Sequence, residues 1–172
     1  MSVLVVLFLG MLAALLQSTL LCAILPQDFV PDIILLLTLY ASFLFPAGKG
    51  LLLAFAMGLL ADLLSGAPDG LNALFMITLF TVSKALQARV FMRGSRANWG
   101  LVLLAFGLKI PYYVLLSVLF GIHFPYARDA VLVWLGEFVS SLLLMPVLFY
   151  IVSRCLGLRG GWFLQQKRSS PA

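Results

Sequence analysis

Three side chains in this sequence carry charge where charge is expensive. Asp62, Lys109 and Glu137 each lie inside a long apolar run. An ionisable group facing lipid at bilayer depth costs several kcal/mol, so such residues turn inward and find partners. At about 1.5 Å of rise per residue, Asp62 stands roughly 18 Å above a boundary at Gly50, and Lys109 roughly 15 Å above one at Trp99. Glu137 sits near the start of the last run and falls at roughly 20 Å of a core about 30 Å thick. These heights agree to within about 5 Å, a gap that a lysine side chain spans. Lys109 is therefore expected to pair with Glu137 or Asp62. Glu137 is favoured, because the fifth and sixth runs are joined by a short turn and should be antiparallel neighbours. Such a trio can fix helix register, form part of a partner interface or switch, or line a proton or ion path. Few polar residues surround it, which favours the static role.

Other chemistry is hard to assemble from these residues. The one histidine, His123, falls in a turn, so no His-based metal site or triad can form within one chain. HExxH, Walker A and GxSxG patterns are absent. Ser140 and Ser141 have no basic partner at helical spacing and read as packing hydroxyls. No catalytic, cofactor or metal residue is assigned, and the chain is expected to act by binding rather than as an enzyme.

A second pattern surrounds Asp62. Gly50, Ala54, Gly58, Asp62 and Gly66 recur every four residues. That spacing makes a small-residue ridge along one helix face, where another helix can approach closely. Internal packing is the expected use, and a groove for a partner helix is the alternative. Pro111 and Pro146 lie within the fifth and sixth runs and should kink them or free carbonyls.

These residues must be positioned by helices in a membrane. The chain has 172 residues, 63% of them hydrophobic and only 10% charged. Its mean hydropathy is +1.14. A soluble domain carries about 25% charged residues, so a water-soluble monomer and a disordered chain are both excluded. Apolar runs cover about 3–25, 31–46, 50–65, 71–91, 99–121 and 130–156, with a polar tail at 157–172. The expected fold is all-α: six transmembrane helices in one compact bundle. The start, Met1-Ser2-Val3, lacks a basic segment, so the first run reads as an uncleaved span. Pro31 is expected near the first helical position of the second run, with Asp32 in its first turn. Pro46-Ala47-Gly48-Lys49 reads as a tight turn.

The net charge of +5 has a membrane explanation. Lys49, Lys84, Arg89, Arg93, Arg96, Arg154, Arg159, Lys167 and Arg168 all fall on the N-terminal side, and Arg128 alone falls on the other. Cytoplasmic loops carry the excess of Lys and Arg, so both termini are expected in the cytoplasm. No basic cluster alternates with aromatics on a soluble face, and no nucleic-acid partner is expected.

The stretch from Pro31 to Leu71 resembles the bacterial rod shape-determining protein MreD family. The carrying residues are Pro31-Asp32, then Ala54-Phe55-Ala56-Met57-Gly58-Leu59-Leu60-Ala61-Asp62, then the turn Gly66-Ala67-Pro68-Asp69-Gly70-Leu71. Two positions depart from the family pattern: Ala54 stands where glycine is usual, and Asp69 where the turn is often apolar. The resemblance implies a non-enzymatic inner-membrane scaffold of the cell-elongation machinery that makes peptidoglycan. It implies an MreC-like membrane partner, and through it links to MreB filaments and to RodA and penicillin-binding protein 2. It also implies a fold similar to the substrate-binding subunits of energy-coupling-factor transporters. That similarity supplies the alternative reading, a membrane subunit that captures a vitamin-type molecule.

Overall fold

A computed structural model describes residues 2–17, 19, 30–65, 70–89, 95–120 and 128–155, and every regular element among them is a helix. The helices are α1 (Ser2–Leu16), α2 (Ile33–Leu44), α3 (Ala47–Ser65), α4 (Leu71–Arg89), α5 (Ser95–Phe120) and α6 (Arg128–Cys155). Several sequence readings fall outside the described residues: the turn holding Gly66 and Pro68, the stretch 90–94, the turn holding His123, and the tail 157–172.

The helix at the centre is the shortest. Every residue of α2 from Ile33 to Ser42 is buried. A helix that is apolar on all sides can be enclosed on all sides without burying polar groups, and α2 touches α1, α3, α4, α5 and α6. Its limits are set locally. Asp32 caps it, with a side-chain oxygen accepting from the Leu35 amide at 3.0 Å. Phe45 stops it in an extended conformation (φ −106°, ψ 148°), the geometry that a following proline imposes. Asp32 is thus the cap rather than part of the first turn, and Pro31 lies just outside the helix. Pro46 to Lys49 do not form a separate turn either. α3 already begins at Ala47, and the Pro46 carbonyl accepts from the Gly50 amide at 3.0 Å, because proline is well tolerated where a helix starts.

α3 and α4 form the closest pair and pack beside α1 and α2. α5 and α6 meet each other only briefly. Rings stitch the elements together: Tyr40 of α2 meets Phe149 of α6 edge-on at 5.0 Å, and Phe106 of α5 meets Phe138 of α6 at 5.2 Å. The outside is strongly apolar. Leu4, Leu63, Val118 and Leu143 are each more than 70% exposed. In water such a surface would drive aggregation, whereas in acyl chains it is at home.

Six spans were expected. Among the described residues, three helices hold segments long and apolar enough to cross a membrane: Ala47–Ser65, Leu71–Ala88 and Val133–Cys155. The apolar segments Val3–Leu15, Ile33–Leu44 and Trp99–Leu115 are shorter. For α2 the reason is plain: 12 residues reach only about 18 Å, and the Phe45-Pro46 stop prevents more.

Candidate functional site

The polar groups gather at one end of the bundle. α1 and α3 finish there, α2, α4 and α6 begin there, and the second half of α5 arrives there. Lys49, Lys84 and Arg154 belong to the opposite helix ends.

Lys109 of α5 is the hub. Its ammonium forms an ion pair with Glu137 of α6 and another with Asp32 at 3.1 Å. The three side chains are only 12–17% exposed. Phe106, one turn earlier on α5, places its ring centroid 5.5 Å from the same nitrogen, a distance at which a cation is attracted to the ring face. Asp32 serves two purposes. One carboxylate oxygen caps α2 and the other takes the lysine. Its own amide donates to the Ser141 hydroxyl oxygen of α6 at 2.9 Å, while the next amide, Ile33, donates to Gln17 of the α1 end at 3.2 Å. The start of α2 is therefore tied to α1, α5 and α6 by polar bonds as well as by packing.

Asp62 is not part of this ion network. It is 2% exposed and accepts three backbone amides: Gly70 at 3.0 Å, Asn72 at 2.8 Å and Ala73 at 3.2 Å. Those are the unpaired donors at the start of α4, where the helix dipole also favours a negative charge. The expected trio of Asp62, Lys109 and Glu137 thus becomes Asp32, Lys109 and Glu137. The physical reason is geometric. Because α3 begins at Ala47, Asp62 rises about 22 Å and reaches the last turn, beside the start of the next helix. A carboxylate there meets amides before it can meet a lysine.

The ridge on α3 serves the same seam. Gly50, Ala54, Gly58 and Asp62 are all buried. A Cβ on Gly58 would collide with the Ala73 backbone and lie 2.8 Å from the Asn72 carbonyl oxygen, and one on Gly50 would strike the Phe80 ring. The two helix backbones nearly touch at Gly58, which is what lets Asp62 reach the amides of α4. Among the described residues the ridge packs internally, and Gly66 lies outside them. Gly70 adopts φ +94°, a left-handed conformation that side chains resist, and its amide is one of the three that hold Asp62.

Other contacts lay beyond the reach of sequence reasoning. The Tyr112 hydroxyl donates to the Leu71 carbonyl at 2.9 Å, and the Tyr113 hydroxyl donates to the Asn72 side-chain oxygen at 3.0 Å. These two bonds carry α5 onto the start of α4. Nothing in the spacing of Tyr112, Tyr113 and Asn72 announced it. Asp32 had a signal, its place beside Pro31, but that signal spoke only of a helix start. Between these groups lies a cavity of about 570 Å³, lined by Gln17, Asp32, Asn72, Lys109, Tyr113 and Glu137 among others. Among the described residues, no group of three or more His, Cys, Asp or Glu side chains could hold a metal ion.

Comparison with known proteins adds one strong finding. No curated protein and no solved structure matches the chain. The family model described as rod shape-determining protein MreD matches residues 1–155, a stretch that runs through all six helices to the last residue of α6. Within it stand the Asp62 clasp, the Gly58 approach and the left-handed Gly70, the same residues that carry the motif in the sequence. The chain belongs to the MreD family of rod shape-determining proteins.

Proposed function

We propose that this protein is a non-enzymatic scaffold of the cell-elongation machinery that binds an MreC-like membrane protein. Through that partner it connects cytoplasmic MreB filaments to RodA and penicillin-binding protein 2. The observation that carries this reading is the family match over residues 1–155, since members of this family are inner-membrane components of rod shape determination. The apolar exterior supports it, because exposed rows such as Leu63, Val118 and Leu143 give a partner helix a surface to pack on within the membrane. The basic residues at the Lys49, Lys84 and Arg154 end support an orientation with that end, and both termini, in the cytoplasm. All six helices serve as spans on this reading, the short ones accommodated by enclosure among the others and by local thinning of the bilayer.

Co-purification tests the scaffold. The tagged protein, extracted in mild detergent from a rod-shaped host, should retain an MreC-like single-span protein at a fixed ratio. Saturable binding of a vitamin-type molecule with no such partner would overturn the scaffold and favour the carrier. Reporter fusions at the two termini test the orientation. Both should behave as cytoplasmic, and an active periplasmic reporter at either end would refute the placement.

A further inference from the structure

Among the described residues that line the cavity at the Asp32 end of the bundle, two carboxylates face one ammonium. Asp32 and Glu137 bring two carboxylates to its wall, and Lys109 brings the single ammonium they share. Asp62 is not among these lining residues, and its carboxylate is stabilised separately by the α4 amides. An uncompensated charge between helices in a membrane is costly, and one further positive charge removes the cost. The space for it exists. The cavity is about 570 Å³, within the usual range for small-molecule sites. Trp134 and Tyr113 contribute aromatic rings to its lining, and Met76 and Leu64 contribute apolar wall. Aromatic faces attract cations, and more strongly where water is excluded. The α5–α6 side of the site is loosely filled, with a separate apolar gap of about 330 Å³ that also reaches Lys109 and Trp134.

We propose that this cavity binds an organic monocation, an alkylammonium or guanidinium group with an apolar body, whose charge balances the second carboxylate of the Asp32–Glu137 pair. The group belongs either to a free small molecule or to a basic side chain of a membrane partner, and the recognition chemistry is the same. The inference stands apart from the scaffold reading, because it rests on the cavity and its charges alone.

The test uses the full chain in nanodiscs of neutral lipid, with butylguanidinium as the probe and butanol as its uncharged counterpart. Butylguanidinium should bind saturably and raise the unfolding temperature, while butanol at the same concentration should not. Glu137→Gln should weaken the probe at least tenfold. Asp32→Asn should do the same while keeping the α2 cap, since an amide oxygen still accepts from Leu35. Equal responses to probe and butanol would overturn the proposal and would mean that the pair is already neutral, for example through a shared proton. Undiminished binding to a folded Glu137→Gln protein would overturn it too. Should neither variant fold, the comparison of probe with butanol on the unaltered chain still decides. Repeating the titration on protein purified with its membrane partner separates the two sources. Loss of probe binding there assigns the cation to a partner side chain, and unchanged binding assigns it to a free molecule.

Discussion

Two carboxylates in this bundle are kept within the membrane by opposite means. Asp62, on the α3–α4 seam, touches no cation among the described residues. Three backbone amides hold it, and they are available because a glycine lets two helices nearly meet. Glu137, on the α5–α6 side, depends on a lysine that it shares with Asp32, beside a cavity and between helices that meet only briefly. The first arrangement is made of backbone and is as rigid as the helices themselves. The second is made of long side chains around open space, so its partners can be exchanged. Rigidity suits a structural clasp. Exchangeable charge suits a site that responds to something arriving.

Removing one member of each arrangement should separate them. The largest effect is expected from Lys109→Ala, which leaves two carboxylates without a counter-charge and should cost about 3–5 kcal/mol. Adding Glu137→Gln should restore at least about 1 kcal/mol of that in reversible unfolding in bicelles. A double variant no better than the single one would show that the pair is not coupled. Gly58→Leu comes next, at about 3 kcal/mol, because the obstacle is the Ala73 backbone and cannot swing aside. Unchanged accumulation and unchanged unfolding would place Gly58 on a lipid-facing surface. Asp62→Asn should cost about 2 kcal/mol, since the amide cannot accept three amides as a carboxylate does and presents an N–H to donors. Its loss should appear as faster hydrogen exchange at the start of α4, with the Lys109 side unaffected. The smallest effect is Gly70→Ala, at about 1 kcal/mol for forcing a side chain into the left-handed region. It should also be read at the α4 start, and an effect spread over α5 and α6 would break the distinction between the two regions.

The sequence made the heights of charges legible but not their bearings. Counting residues along each run brought Lys109 and Glu137 to one level, and those two do meet. The same count set Asp62 at that level, yet it lies on another seam, since rise along an axis says nothing about direction around it. The ion pair of Asp32 went unexpected for the converse reason. Asp32 stood at a run boundary, where height suggested the membrane surface, and its role as a cap hid its second oxygen. The small-residue ridge was readable because its spacing of four is itself directional, and it predicted a close approach at Gly58. The cavity could not be read at all. It exists because α5 and α6 fail to fill the space beside α2, and a poor fit between three helices has no signature in any one of them.

The clasp at Asp62 also bears on how the chain enters the bilayer. Its carboxylate is satisfied by amides that come eight to eleven residues later in the chain, so they do not exist when α3 has just been synthesised. Until α4 begins to form, α3 would have to carry a bare anion into lipid. The two helices should therefore leave the insertion machinery as a pair.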